Sequence, residues 1–282
     1  MLLKPDFPTI ATLHYVSDDP ALGALKPWNI SCKSFTRLLD FLQVENYTTV
    51  GFEDMAASRI KGRKSIILTF DDCPKHLWDF AIPELLKRNM KAVFYMPTAY
   101  LGGYNEWNVV EGLPKVDLMD SDDIAKLNTL GMEIGSHAHH HIMLGERNTE
   151  EVIMQLNESK AILESIIDKP VVSIAYPYGS VPHSAYRLSR EAGYQYGLAV
   201  FTPWQTKYAI RRWIYDDTDS VESIRRKISG TYTWQRVVSD KWNFYSANIM
   251  RKAYHYYSGL KKTLGINTIS LFFVENIQYI VE

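Results

Sequence analysis

Cysteine is almost absent from this 282-residue chain: Cys32 and Cys73 are the only two, far apart in sequence. They read as two separate buried thiols rather than a bridge, which suits a reducing compartment. Long apolar runs are missing too, and none approaches the roughly 18 residues a membrane-spanning helix needs. The opening MLLKPDFPTIATLHY has no export-signal core, because Lys4, Pro5, Asp6 and Pro8 interrupt it. An excess of charge is also lacking, with 31 basic against 32 acidic side chains, which removes the electrostatic case for a nucleic-acid partner. There are no repeats and no low-complexity tracts. These absences predict a soluble, cytoplasmic protein without a transmembrane segment; nothing in them assigns an oligomeric state.

What is present is a chain with 46% hydrophobic residues, ample for a sizeable core. Short apolar runs at 9–16, 65–70, 91–96, 132–136, 171–176, 194–200 and 208–214 read as strands. Helical patterns lie between several of them. SFTRLLDFL (34–42) sets Phe35, Leu38, Leu39 and Leu42 on one face. HLWDFAIPELLKR (76–88) is a second helix, with Pro83 expected to kink it. SDDIAKLNTLG (121–131) starts at an N-cap serine, Ser121, and TEEVIMQLNESKAILESII (149–167) is capped by Thr149. Repeated βα units imply a parallel sheet, open or closed into a barrel, with reactive side chains at the C-terminal strand ends. His14, Asp71 with Asp72, the His137 cluster and Tyr178 all fall there.

SIILTFDDCP ends an apolar strand in two adjacent carboxylates. Neighbouring side chains at a strand end point in different directions, so one can ligate a metal while the other serves as a base. Asp-Asp-Cys-Pro is also ordinary turn chemistry. GSHAHHH (135–141) holds four of the eight histidines. His137 and His141 stand four apart, a spacing that lets two imidazoles converge if the segment is helical; a solvated polar loop is the alternative. YPYG (176–179) forces a defined loop whose backbone N–H groups can face an oxyanion. TLHYV carries a lone strand histidine, His14, which by itself reads as a core residue.

Taken together, TFDD, SH-x-x-x-H and YPYG in that order resemble the polysaccharide deacetylase family, the NodB-homology or carbohydrate esterase family 4 enzymes, over roughly residues 8–215. The resemblance implies an α/β fold, a distorted (β/α) barrel of seven or eight units, and metal-dependent hydrolysis of N-acetyl groups on amino-sugar glycans. It makes Asp72, His137 and His141 the metal ligands, Asp71 the general base and Tyr178 the oxyanion-hole residue. Tyr176, Pro177, Leu144 and Arg212 are placed around the substrate. The family's glycine after TFDD is Cys73 here, and Ala138 and Ile142 replace its usual residues beside the histidines. Its base-orienting arginine is replaced by Ala175, for which Arg212 is a candidate substitute. The late Leu-x-His motif is missing, and His255 lies in a tyrosine-rich stretch. ATLHYV instead resembles the N-terminal strand of the circularly permuted branch typified by poly-N-acetylglucosamine deacetylases, which makes His14 the general acid.

A divalent metal is therefore expected, with zinc suited to a His₂Asp set and nickel or cobalt also open. The expected partner is an N-acetylated sugar or glycan, with Trp107, Trp204 and Trp213 as candidate stacking faces. Two other readings stand beside this one: an amidohydrolase for a small non-sugar amide, and an inactive glycan-binding protein of the same fold. Residues 1–215 form the barrel and 216–282 a C-terminal extension packed on it as one structural domain. Within the extension, 244–265 reads as an aromatic helix with basic residues (Arg251, Lys252, Lys261, Lys262; Lys241 just before it), followed by a strand at 269–281. That helix either packs on the barrel or rests peripherally on a membrane.

Overall fold

The computed structural model describes residues 8–26, 28–60, 64–200, 202 and 205–229. Each of the seven apolar runs yields a strand: β1 (Thr9–Leu13), β2 (Ser65–Phe70), β3 (Val93–Met96), β4 (Glu133–Ser136), β5 (Ser173–Ala175), β6 (Tyr196–Ala199), and a last run split into β7 (Ile210–Arg211) and β8 (Trp213–Ile214). All pair in parallel, in the order β7-β6-β5-β4-β3-β2-β1-β8. β1 and β2 are in register from Thr9↔Ile66 to Leu13↔Phe70. The two ends of the sheet are consecutive in sequence. Ile210 pairs with Leu198 on β6, Trp213 pairs with Ala11 on β1, and Arg212 alone separates them. One interrupted strand thus closes the sheet into a barrel, removing the exposed edges that an open sheet leaves.

Alternation along the strands divides the apolar residues into two cores. Ile10, Ile67, Val93, Tyr95, Ala175, Tyr196, Leu198 and Ile210 pack together inside the barrel. Their neighbours Ala11, Leu68, Phe94 and Ile174 face outward onto the helices. Those helices are α1 (Cys32–Val44), α2 (Ala81–Lys87), α3 (Ser121–Thr129), α4 (Thr149–Ile167), α5 (Ala185–Glu191) and α6 (Val221–Ile228). α4 is typical: Val152, Leu156, Ser159, Leu163 and Ile167 form its buried stripe. Both cysteines are free thiols. Among the described residues, no helix is long and apolar enough to cross a membrane.

Three local expectations are corrected. Pro83 kinks nothing, because the 76–88 stretch divides into a 3₁₀ turn (Lys75–Trp78) and α2; Pro83 falls in the first turn of α2, where its missing N–H leaves no intrahelical bond unmade. The caps of α3 and α4 lie one residue earlier than expected, at Asp120 and Asn148. Asp120 and Asp123 form a reciprocal capping box, which a lone Ser121 cannot supply. Of the C-terminal extension, α6 packs on α1, with Arg225 bonded to Glu45 at 2.9 Å and lying over the Phe41 ring. The helix expected at 244–265, the strand at 269–281, His255 and Trp204 lie outside the described residues.

The barrel interior is layered. In its middle, a Cβ on Gly135 would lie 2.3 Å from the Tyr95 ring; the glycine makes room for that ring, whose hydroxyl donates to Ser173 Oγ at 2.9 Å. At the N-terminal end of the strands sits Glu133, only 2% exposed. Its Oε2 accepts from the Glu53 N–H at 3.0 Å. Burial pushes its carboxyl up to about 8, although the Glu53 N–H and Lys91 pull the other way; the Glu53 and Asp54 charges add to the rise. A carboxyl that holds its proton more tightly folded than unfolded stabilises the fold below its unfolded value of 4.5, and that contribution fades as pH climbs through about 8. Denaturation of wild type and Glu133→Gln across this window should show wild type losing ground to the variant by up to about 1.4 kcal/mol per pH unit. Parallel stability curves would contradict the assignment.

Candidate active site

The site is built where β1, β2, β4, β5 and the β7–β8 seam end. Asp71 extends β2 by one position, its N–H donating to Leu13 O at 2.9 Å. The next two residues turn sharply, Asp72 at φ 63° and Cys73 at φ 55°. This left-handed backbone is costly for residues with a Cβ, and it aims the two carboxylates in different directions. Cys73 takes up the turn with its thiol buried, donating to Tyr95 O at 3.2 Å.

Asp71 belongs to Arg212. The guanidinium, 1% exposed, donates to both carboxylate oxygens at 2.6 Å and to Thr69 Oγ1 at 3.2 Å. Burial works against ionisation of Asp71, but the Arg212 and His137 charges outweigh it and hold the carboxyl below its usual range. The contact of Arg212 with Asp71 is the one expected of the candidate substitute for the base-orienting arginine, and not one around the substrate: Arg212 occupies the interior residue of the seam strand. His14, in the break directly after β1, brings Nε2 to 3.9 Å from Asp71 Oδ2. Burial pushes its pKa below the ordinary value, against the pull of Asp71 and Asp72.

Asp72 faces the other way, toward His137 and His141. Its Oδ1 lies 3.4 Å from His137 Nε2 and 3.3 Å from His141 Nε2, and one ligand atom from each of the three residues falls within 4.8 Å of the others. Burial opposes ionisation of Asp72, yet His141 and His137 keep its carboxyl well below the usual range. His137 Nδ1 is held by Ala175 O at 2.7 Å, which fixes a proton there, so that in the neutral, metal-binding form of the ring the Nε2 lone pair faces the carboxylate. Asp72 Oδ1 has no hydrogen-bond donor among the described residues. Buried acceptors converging without a donor suit a divalent cation, and two imidazoles with a carboxylate form a donor set for one.

The histidine segment is not helical, which corrects the one-turn argument. After β4 it runs as a loop, turned by Ala138 at φ 63°. His139 and His140 are directed away from the cluster and hold this loop to α4. His139 Nδ1 pairs with Thr98 Oγ1 at 3.0 Å and its Nε2 lies 3.4 Å from Glu158. Gln155, 1% exposed, accepts from the His140 N–H at 2.6 Å and meets His140 Nδ1 at 3.1 Å through Nε2.

The remaining expected residues divide. Tyr178 sits at the site in the turn Pro177–Gly179 with φ 57°, half-exposed, its ring 4.5 Å from that of His141. Pro177 is buried and shapes that turn. Tyr176 does not face the site: alternation turns Ala175 inward and Tyr176 outward, where its hydroxyl meets Ser189 Oγ at 2.9 Å and donates to Tyr208 O. Leu144, fully buried, starts a short 3₁₀ turn and packs in the outer core. Trp213 is buried in the outer core, and Trp107 lies against His141 at 4.2 Å rather than facing solvent. Neither the Trp107 stack nor the Gln155–Glu158 tether follows from the motifs. The tether left one signal, a glutamine on the apolar stripe of α4.

Comparison with known proteins gives a consistent picture. A family model described as polysaccharide deacetylase matches residues 58–197. Over 222 residues the chain is 23% identical to the poly-beta-1,6-N-acetyl-D-glucosamine N-deacetylase of Staphylococcus aureus (strain MRSA252), covering 73% of this chain and 74% of that one. Among solved structures, the Streptococcus pyogenes deacetylase PplD in complex with acetate superposes with a TM-score of 0.66 at 18% identity, over 79% of this chain and all of that one. BC0361, a polysaccharide deacetylase from Bacillus cereus, gives 0.66 at 24% identity, over 78% and 68% of the two chains.

The division among the four histidines is testable by titrating each alanine variant with zinc. His137→Ala and His141→Ala should lose more than about 100-fold in affinity, whereas His139→Ala and His140→Ala, which remove only loop tethers, should stay within about tenfold. Equal losses at all four positions would contradict the geometry.

Proposed function

Because this chain belongs to the polysaccharide deacetylase family, we propose that it hydrolyses N-acetyl groups of an amino-sugar glycan, with a metal held by Asp72, His137 and His141. The observation that carries this reading is the pairing of two adjacent carboxylates with opposite partners: Asp72 faces two imidazoles, and Asp71 faces an arginine. A divalent cation held by Asp72, His137 and His141 would supply Lewis acidity, toward a water molecule and the amide carbonyl. Zinc suits the donor set best.

Asp71, kept ionised by Arg212, takes the proton from the attacking water. The backbone N–H of Tyr178, in the turn beside His141, donates to the carbonyl oxygen as negative charge develops on it. His14, beside Asp71 but outside the ligand set, gives a proton to the departing amine. A β-1,6-linked N-acetylglucosamine polymer is the substrate class supported by the name of the staphylococcal relative.

The test is acetate release from β-1,6-linked N-acetylglucosamine oligomers by zinc-loaded protein, with non-sugar acetamides as a control. Asp71→Asn keeps the shape and removes the base, so turnover should fall by about 10²–10⁴ while zinc affinity is retained. A wild-type rate in that variant would overturn the role of Asp71. Cleavage of non-sugar acetamides in place of the oligomers would overturn the substrate class.

A further inference from the structure

The two ligand histidines are secured in different ways. His137 is fixed by a hydrogen bond from its second ring nitrogen, Nδ1, to Ala175 O at 2.7 Å. The corresponding nitrogen of His141 is buried and has no hydrogen-bond partner among the described residues. The ring is instead enclosed by aromatic surfaces. The Trp107 indole lies face to face with it, at 4.2 Å between centroids and 17° between planes, and the Tyr178 ring meets it edge to face at 4.5 Å and 66°.

From this asymmetry, and resting on the metal reading above, we propose that Trp107 is the positioning residue of His141, its indole face holding the imidazole in the ligating orientation in place of the hydrogen bond that holds His137. An imidazole turning about its Cβ–Cγ bond must stand perpendicular to its starting plane midway, which drives its edge into the stacked indole. The stack thereby does what a hydrogen bond to Nδ1 does for other metal-ligating histidines. Trp107 is 8% exposed, so its face is committed to His141 and is not free as a sugar platform.

The indole is itself held firmly. It lies in the short helix Glu106–Val109, with the Tyr100 ring edge-on at 5.1 Å. Asn105, fully buried, anchors the segment by accepting from the Val116 N–H at 2.7 Å and donating to Pro114 O at 3.0 Å. Asn108 Nδ2 reaches Tyr15 Oη at 3.4 Å, and Tyr15 directly follows His14. One loop therefore links the strand that presents His14 to the ligand on the opposite side of the site.

The test uses Co²⁺ as the probe, with affinity read by titration and ligand geometry by the visible absorption band. Trp107→Phe keeps a ring face and should bind within a few-fold of wild type with the same band. Trp107→Leu keeps apolar bulk without the face, and should lose about 10–100-fold in affinity, the range typical of groups that orient a ligand, with an altered band. Melting of the metal-free proteins controls for folding, and Trp107→Met, which fills irregular gaps, replaces the leucine variant if that fails to fold. Wild-type affinity in the variants without a ring would overturn the proposal, as would an equal loss with phenylalanine. If wild type itself binds no cobalt, the metal reading fails first, and that result is distinct from either of these.

Discussion

The bidentate pair between Arg212 and Asp71 is the constraint on which the site depends. Both partners are buried, and the guanidinium donates to each carboxylate oxygen at 2.6 Å. A pair of this kind adds little net stability over apolar packing, but removing one partner leaves an uncompensated buried charge and costs about 3–5 kcal/mol. Its position matters as much as its strength. Arg212 is the single residue between β7 and β8, where the chain leaves one neighbouring strand and joins another, so closing the barrel and charging Asp71 are done by the same residue. Beneath it the Tyr95 ring lies 5.8 Å from the guanidinium, in space that Gly135 leaves open.

With Asp71 committed to the arginine, Asp72 is left to the imidazoles. The left-handed turn at Asp72 and Cys73 makes that division possible by aiming consecutive side chains apart. The histidine loop completes it from the opposite wall. It carries no helical hydrogen bonds, so its shape comes from outside: Ala138 supplies a left-handed turn, and Gln155 and Glu158 on α4 hold His140 and His139. Four histidines in five positions thus serve two purposes, two converging on Asp72 and two tying the loop down.

Much of this was legible in the sequence because it depends on local pattern. Apolar runs located the eight strands that circle the barrel, though not the short Thr48–Thr49 strand beside β2, and the two carboxylates after SIILTF announced a strand-end site. The i, i+4 spacing pointed to His137 and His141, though through a helix that does not form. What could not be read depends on distant contacts. Arg212, named as a candidate substitute only through the family resemblance, is separated from Asp71 by 141 positions, and only the closure of the sheet brings them together. Trp107, expected as a sugar-stacking face, is instead folded over His141 by its loop. Helix caps were misplaced by one residue because Asp120 and Asn148 outcompete their hydroxyl-bearing neighbours through side-chain acceptors set for the third N–H.

The central claim is that two adjacent aspartates have separate duties, one on the metal and one on the arginine. Crystals grown with zinc and measured at the zinc absorption edge test it directly. The account predicts one anomalous peak at about 2.0–2.2 Å from Asp72, His137 and His141, with both oxygens of Asp71 still on Arg212. A peak that takes Asp71 as a ligand and frees Arg212 would contradict it.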